Sequence, residues 1–418
     1  NSIWISKAIG DSGLTAISAY ANFDAIGRAF ASYLQVSATT KISSLFGEGL
    51  NNEATQVMSD LLRFSFLFAL IPPSIFIPLS KVAVKWFGAD KEIVDLGFKY
   101  IVPNLSLSII PCIFLICCGC LQAEGRSWIF SITQVIALCL NMFAFCPMFL
   151  LGFKIGIAGA AFSTGLAELL PAIVILILYY RGKFGIKPKL NQLLKKPSPN
   201  SYEALKLGLA QLILQLSWTF PGLIVRKLMG EASDNNIETF DNVMAAFNTY
   251  NRFWGIQIAV PNAINIGFIP AASYANGAKL YMRIIWLLVH SIWIAVAWCS
   301  FTMFLTMVFP IPLAKIFSDT SGYLEWSKRF LIYGNVMTFL AEVPGIITSL
   351  LQAMKKGVHA SILSFTVQLI PVPILVIILF YTNKHDVGRL IFCYPIQTFI
   401  GVVVSIVFLV ITVKEILK

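Results

Sequence analysis

The sequence contains one motif twice, as ANFDAIGR at residues 21–28 and as AAFNTYNR at residues 245–252. The two copies are separated by more than half of the chain. Three further pairs follow in the same order: Asn52-x-Ala54 with Asn276-x-Ala278, Leu121-Gln122-Ala123 with Leu351-Gln352-Ala353, and IFSIT at 129–133 with ILSFT at 362–366. Because the order is kept while the offset between partners drifts only slightly, we interpret one half of the chain as a copy of the other.

Apolar side chains dominate the composition. Of the 418 residues, 57% are hydrophobic and 12% are charged, against about 25% charged in ordinary soluble domains. The mean hydropathy is +0.79. A water-soluble core of this length could not bury so much apolar surface, whereas lipid solvates it directly. The composition therefore predicts an all-α polytopic membrane protein in contact with the lipid bilayer.

Apolar segments of membrane-spanning length recur along the chain. We expect eleven transmembrane helices, at 14–41, 56–86, 94–122, 127–152, 155–181, 203–229, 238–271, 283–316, 326–353, 358–382 and 388–413. The first half then has five helices and the second six, which predicts two six-helix bundles with the first helix of the first bundle missing upstream of Asn1. An even number of spans per bundle predicts a pseudo-two-fold axis along the membrane normal.

The longest basic gap divides the chain into an N-terminal bundle at 1–181, a linker at 182–201 and a C-terminal bundle at 202–418. Six basic residues lie in or beside this linker: Arg181, Lys183, Lys187, Lys189, Lys195 and Lys196. The positive-inside rule places the linker and the C-terminus in the cytoplasm, and we expect the plasma (inner) membrane. The net charge of +11 is spread over many short gaps, so nucleic-acid binding is not expected.

The ionisable residues do not form a recognisable catalytic or metal-binding motif. All eight cysteines lie in apolar stretches, where small side chains at helix contacts explain even the cluster at 117–120. The three histidines are far apart, and there is no nucleophile with a base at helical spacing and no phosphate loop. We therefore predict no metal, no cofactor and no enzyme activity. Duplicated bundles suit a transporter that works by alternating access, with a channel as the alternative.

Four short segments are similar to the multidrug and toxic compound extrusion (MATE) family. GIAGAAFST at 156–164 resembles the entry to the family's sixth helix, and LQAEG at 121–125 resembles the end of its fourth. LKLGLA at 205–210 resembles the opening of its seventh helix, and IWISKAIG at 3–10 resembles the tail of its first. The resemblance covers nearly the whole chain. It implies a secondary transporter that exchanges small organic compounds for H⁺ or Na⁺, and we expect a monomer.

The resemblance also shows where this chain departs from the family. Members often carry acidic residues at positions that are occupied here by Asn1, by Phe145 and Cys146 before Pro147, and by Ser217. Any coupling acids must then lie elsewhere.

Ionisable groups within apolar spans are costly, so each is a functional candidate. Asp24 and Arg28 stand four residues apart on one predicted helix and could pair, for folding or for cation coupling. The second copy of the motif has Asn248 in place of the acid and keeps Arg252. Glu168 and Glu342 could bind a proton, or attract a cation, inside their spans. Glu342 lies near an acid of the family's tenth helix.

Polar and aromatic residues complete the set of candidates. Asn141 and Thr164 match family positions that line a polar pocket in the first bundle, although they could equally satisfy one another. The candidates for a substrate cleft in the second bundle are Gln215, Ser217, Trp218, Asn248, Arg252 and Gln368. The preferred hypothesis is a cation-coupled exporter of amphipathic, cationic organic compounds. A lipid-linked oligosaccharide flippase is the alternative, and it would need several arginines and lysines to hold pyrophosphate.

Overall fold

The computed structural model describes residues 2–86, 91–188, 192, 195–233, 237–383 and 386–416, so Asn1 and Lys189 lie outside the described residues. All regular structure in these ranges is helical, because lipid-solvated segments must satisfy their backbone hydrogen bonds internally. The chain divides into two compact units, unit 1 at Asn1–Gln215 and unit 2 at Leu216–Lys418.

The described residues of unit 1 form seven α-helices and the first half of an eighth. They are α1 (Ser2–Ile9), α2 (Asp11–Gly47), α3 (Asn51–Trp86), α4 (Lys91–Ser106), α5 (Ile109–Ala123), α6 (Ser127–Cys139), α7 (Ala158–Tyr180) and the start of α8 (Pro199–Ala232). Two π-helical turns, Leu140–Phe145 and Met148–Gly152, continue α6. The main core of unit 1 lies between α2, α3, α5 and α7 and includes the buried Cys112, Cys117 and Cys120.

Unit 2 begins inside α8. It continues with α9 (Ile237–Gly277), α10 (Tyr281–Val308), α11 (Pro310–Lys315), α12 (Ser321–Gly334), α13 (Val343–Ala353), α14 (Gly357–Ser364), α15 (Pro371–Thr382), α16 (Val387–Leu390) and α17 (Cys393–Ile416). A 3₁₀ turn at Thr338–Leu340 precedes α13, and a π-helical turn at Phe365–Leu369 joins α14 to α15.

Eight segments of the described chain are single helices long and apolar enough to cross a membrane, and two bent helix pairs raise the number to ten. The eleventh predicted span, 14–41, is present as α2. This 37-residue helix carries Asp24, Arg28 and Lys41 and is not among the ten. Length and apolar character therefore support ten of the eleven predicted spans.

Two of the predicted spans are broken rather than continuous. The span predicted at 94–122 is divided into α4 and α5, which meet at 49°, and the span at 326–353 is divided into α12 and α13, which meet at 46°. The prediction of single straight helices was wrong there. At the second break a side chain compensates for a lost backbone bond, since Asn335 Nδ2 donates to Leu331 O at 2.8 Å. At the first break Leu105 O accepts from both the backbone N–H and the hydroxyl of Ser108.

The ends of equivalent helices establish the register of the repeat. Gly49 and Lys279 both end a long helix with a left-handed residue, at φ 78° and 59°. In each case the next residue, Leu50 or Leu280, donates its N–H to the carbonyl five residues earlier at 2.8 Å. This is the Schellman arrangement of a helix C-terminus.

A second pair of helix ends has the same offset. Gly125 and Lys355 repeat the pattern at φ 73° and 62°. Lys355 follows Gly125 by the same number of residues as Lys279 follows Gly49. We call this common offset the helix-end register.

A helix crossing confirms the helix-end register. A Cβ on Gly119 would lie 2.6 Å from Gln35 O where α5 crosses α2. In unit 2, Ser349 Oγ donates to Asn265 Oδ1 at 3.2 Å where α13 crosses α9. In the helix-end register Ser349 is the counterpart of Gly119, and Asn265 is the counterpart of Gln35. The duplication and the 121–123 match with 351–353 are therefore confirmed.

The motif match that pairs Asp24 with Asn248 does not fit the helix-end register. In that register, Trp254 and Ile258 are equivalent to Asp24 and Arg28, so Arg252 is not a retained copy of Arg28. The match of Asn52 with Asn276 is also wrong, since Asn52 lies in the first turn of α3 and Asn276 in the last turn of α9. Short matches of common residues do not fix a register, whereas helix ends do.

The segment between α7 and α8 is held against unit 1 by buried acids. Glu124 Oε1 accepts the backbone N–H of Ile186 at 2.9 Å. Asp60, fully buried, accepts from the backbone N–H of Ser198 at 2.8 Å and from Ser201 Oγ at 2.6 Å. Lys41, 3% exposed, pairs with Glu203 at 2.6 Å. These contacts explain why α8 belongs to unit 1 as far as Gln215.

Replacing Lys279 with glycine should stabilise the protein. A left-handed conformation costs a residue with a Cβ about 1–2 kcal/mol, which glycine avoids. Part of this stabilisation is lost because glycine also has more conformational freedom in the unfolded chain. We expect Lys279→Gly to raise the free energy of unfolding by about 0.5–1 kcal/mol, seen as a higher melting temperature in detergent. Lys328→Gly, at an exposed site inside α12, is the control and should lower stability by about 1 kcal/mol. Equal destabilisation by both variants would contradict the left-handed strain at Lys279.

Candidate ion and substrate site

An ion pair between α2 and α7 forms the centre of the candidate site in unit 1. Arg28 Nη1 donates to Glu168 Oε1 at 2.9 Å. Asp24 Oδ1 lies farther from Arg28, at 3.8 Å from Nε. The Glu168 side chain is 12% exposed, whereas 44% of the Arg28 side chain is left uncovered by protein. The stronger partner of Arg28 is therefore Glu168 on another helix, rather than the neighbouring acid on its own helix.

Asp24 has a second partner that the sequence reasoning missed. Asn104 Nδ2 donates to Asp24 Oδ1 at 2.7 Å. Asn104 lies near the end of α4, just before the break between α4 and α5. A polar amide inside a predicted span is itself a signal of function, so the rule that selected Asp24 could also have selected Asn104.

Asn141 and Thr164 contact each other beside this ion pair. Asn141 Nδ2 donates to Thr164 Oγ1 at 3.1 Å, and Ser163 Oγ donates to Asn141 Oδ1 at 3.3 Å. Asn141 lies in the π-helical turn Leu140–Phe145, a type of turn that often marks a functional position. The indole N–H of Trp4 donates to the backbone carbonyl of Met142, in the same turn, at 2.9 Å.

Four of the predicted coupling residues line one cleft in unit 1, and Asn141 reaches it through Thr164. The side chains and glycines around the cleft are Asp24, Gly27, Arg28, Asn104, Leu105, Leu107, Ser108, Pro111, Ala161, Thr164, Gly165 and Glu168. Among these residues, two are carboxylic acids and one is a cation. When all three are ionised, the cleft carries one excess negative charge, which favours a cation.

Glu342 occupies a different position, at the break before α13 in unit 2. It is the residue before the first turn of α13, makes no side-chain capping bond there and is 9% exposed. Its Oε2 and Asn265 Nδ2 flank Gly345, at 3.4 and 3.5 Å from where a Cβ would stand. Within the described part of the chain, no side chain forms an ion pair or hydrogen bond with this carboxylate. A buried carboxylate without a partner is costly unless it binds a cation.

The candidates for a substrate cleft in unit 2 are dispersed. Ser217 and Trp218 lie at the start of unit 2, where Ser217 is buried and Trp218 is 43% exposed. Gln215 is the last residue of unit 1. Gln368 lies in the π-helical turn Phe365–Leu369, and its Oε1 is buried with no hydrogen-bond partner among the described residues. Asn248 accepts a hydrogen bond from Arg226. The structure therefore gathers the predicted residues of unit 1 but not those of unit 2.

The sequence model of the MatE family matches residues 1–164 and 239–381. The chain belongs to the MatE family. It is therefore a multi-pass membrane transporter rather than an enzyme. A curated relative, the "Multidrug export protein MepA" of Staphylococcus aureus (strain N315), is 21% identical over 346 residues, which cover 82% of this chain and 74% of the relative.

Solved transporter structures share the fold. A structure described as the "outward-facing conformation of a multidrug resistance MATE family transporter of the MOP superfamily" superposes with a TM-score of 0.86 at 18% identity, and covers 99% of this chain and 90% of that one. A MOP superfamily transporter from Pyrococcus furiosus, described as having a binding pocket of reverse polarity, superposes with a TM-score of 0.88 at 18% identity, and covers 100% and 91%. At these identities the likeness extends to the fold alone.

The Arg28–Glu168 pair should contribute measurably to stability. Removing one partner of a buried pair leaves the other charge uncompensated. Because Arg28 is partly uncovered, we expect Arg28→Gln and Glu168→Gln each to lower the free energy of unfolding by about 1–2 kcal/mol. The double variant should lose less than the sum, with a coupling of about 1 kcal/mol in a double-mutant cycle.

The exposed pair of Arg329 and Glu325 provides the matched control. It has a similar distance, 2.8 Å, but its side chains are 46% and 66% exposed. Its coupling in the same cycle should be below about 0.5 kcal/mol. Equal coupling in the two pairs would show that the Arg28–Glu168 pair is no better shielded from solvent than a surface pair.

Proposed function

We propose that this MatE-family transporter exports amphipathic, cationic organic compounds in exchange for H⁺ or Na⁺, by alternating access. We further propose that it works in the plasma (inner) membrane as a monomer, with the 182–201 linker and the C-terminus in the cytoplasm. The relative MepA is a multidrug export protein, which supports the export of drugs.

The excess of acid in the unit 1 cleft is the observation that carries this proposal. Asp24 and Glu168 face a single guanidinium, that of Arg28. An organic cation, a proton or Na⁺ in the cleft would neutralise the remaining carboxylate. Once one of these cations is bound, the cleft has no excess negative charge left to attract another. Mutually exclusive binding of this kind is the basis of exchange between a substrate and a coupling ion.

Glu342 is proposed as a second cation-binding group. Its carboxylate is buried beside Asn265 and lacks a basic partner among the described residues. A proton would neutralise it directly. Na⁺ would in addition need further oxygen ligands, whereas Asn265 turns its Nδ2 toward Gly345 and its Oδ1 accepts from Ser349. The two ions therefore make different demands on the same site.

The unit 1 cleft does not favour the flippase alternative. A pyrophosphate group would require several cations to be held. The described lining of this cleft has two acids and one arginine, and such a balance repels pyrophosphate.

Gradient-driven transport of ethidium tests the proposal. The chain would be reconstituted in proteoliposomes with an outward gradient of either H⁺ or Na⁺, and ethidium accumulation followed by fluorescence. We expect accumulation with one of the two gradients. Asp24→Asn and Glu342→Gln should each reduce the initial rate at least about tenfold, because each removes a charge that the ion and the substrate share.

Glu325→Gln is the control, since it neutralises an exposed acid on α12 outside both sites. It should transport ethidium like the wild type. The proposal would be wrong if ethidium, norfloxacin and tetraphenylphosphonium all failed to move with either gradient.

A further inference from the structure

Two arginines share one face of α8 and α9 in unit 2. Arg226 Nη2 donates to Asn248 Oδ1 at 3.0 Å. Arg252 follows Asn248 by four residues on α9, so the two side chains project from the same side of that helix. Both arginines are exposed. We define Arg226 and Arg252 as the arginine face.

The arginine face has no acid to balance it among the described residues. Neither guanidinium has a carboxylate within ion-pair distance, whereas Arg28 in unit 1 has two. The acid nearest in sequence to Arg226, Glu231, lies 4.0 Å from Lys227 instead. The hydrogen bond from Arg226 goes to a neutral amide, which leaves its charge in place. Two positive charges on neighbouring helices are therefore uncompensated.

An aromatic ring lies within cation–π distance of each guanidinium. Arg252 Cζ lies 4.9 Å from the ring centre of Phe317, and Arg226 Cζ lies 5.9 Å from that of Phe247. A cation–π contact stabilises the positive charge without neutralising it and leaves N–H groups of the guanidinium available for an anion. The planar fork of N–H donors on an arginine matches the two oxygens of a carboxylate or phosphate. Asn248 accepts from Arg226 and lies one helical turn before Arg252, so the two cations stand on one side of α9 and are suited to an anion.

An apolar surface adjoins the charged one. Ile256, one turn beyond Arg252 on α9, is 57% exposed, and Phe317 is 43% exposed. Phe317 is in turn held edge-on by Phe253 at 6.0 Å between ring centres. A ligand that combines an anionic head with an apolar tail would contact both surfaces at once.

We propose that the arginine face binds the anionic head group, a carboxylate or a phosphate, of an amphiphile. Because the ligand is taken to be cargo of the transporter, this proposal rests on the proposed function and deepens it. It extends the substrates of this transporter from cations to amphiphiles that carry an anionic group. The same head group could come from a soluble amphiphile or from a bilayer lipid.

Two amphiphiles that have the same tail and head groups of opposite charge test the proposal. Binding of decyl phosphate and of decyltrimethylammonium to the purified chain in neutral maltoside micelles would be measured by calorimetry. We expect wild type to bind decyl phosphate, and Arg226→Gln/Arg252→Gln to bind it at least tenfold more weakly with decyltrimethylammonium binding unchanged. Arg226→Lys/Arg252→Lys should bind decyl phosphate with intermediate affinity, since lysine keeps the charge but loses the fork.

Controls separate loss of the site from loss of the fold. Arg329→Gln removes an arginine that stacks on Trp326 but pairs with Glu325, and it should bind decyl phosphate like the wild type. Melting curves without ligand would show whether each variant is folded, and the lysine variant decides the matter if the glutamine variant unfolds. The proposal is overturned if wild type does not bind decyl phosphate, or if folded arginine-face variants bind it as tightly as wild type.

Nanodiscs distinguish the sources of the head group. If a bilayer lipid occupies the arginine face, discs containing phosphatidylglycerol should weaken decyl phosphate binding severalfold relative to discs of phosphatidylcholine alone. Unchanged affinity would assign the site to a soluble amphiphile. Ethidium transport by wild type tests the cation exporter separately. Decyl phosphate binding that depends on both arginines, without ethidium transport, would retain the anion site and remove only the proposed export of cations.

Discussion

A charge inside a lipid-solvated bundle is costly unless a partner compensates it, and the contact of Arg28 with Glu168 supplies that partner in unit 1. The contact joins α2 to α7, and Asn104 on α4 adds a third helix through Asp24. Three helices are therefore positioned by one set of charges. The break between α4 and α5 lies close to this set, and Ser108 at the break donates its hydroxyl to Leu105 O.

The two units share a backbone and differ in charge. Helix ends at Gly49 and Lys279, and again at Gly125 and Lys355, keep the same left-handed geometry although glycine is replaced by lysine. The backbone pattern has thus tolerated substitution. The charges have not been kept in place, since the counterparts of Asp24 and Arg28 in the helix-end register are Trp254 and Ile258. Unit 2 has its buried acid at Glu342 and its unbalanced arginines at Arg226 and Arg252.

Much of the fold could be predicted from apolar spans, because lipid imposes a simple rule of length and hydropathy. The breaks and π-helical turns could not, since they depend on side chains such as Asn335 that satisfy the backbone locally. The contacts of Asp60 with Ser198 and Ser201 were also missed, because they join segments that are far apart in the sequence. In the candidate site, the rule that intramembrane charges are functional found Asp24, Arg28 and Glu168. It could not show that Glu168 rather than Asp24 is the closer partner.

Binding of tetraphenylphosphonium to the purified chain tests the central claim, that the acids of the unit 1 cleft form a cation site. Calorimetry on wild type and on Asp24→Asn/Glu168→Gln would use Glu325→Gln as the control. The account predicts binding by wild type and by the control, and at least about tenfold weaker binding by the double variant, because its cleft keeps Arg28 without an acid. Binding of equal strength by a folded double variant would contradict the account, since the cation would then be held elsewhere.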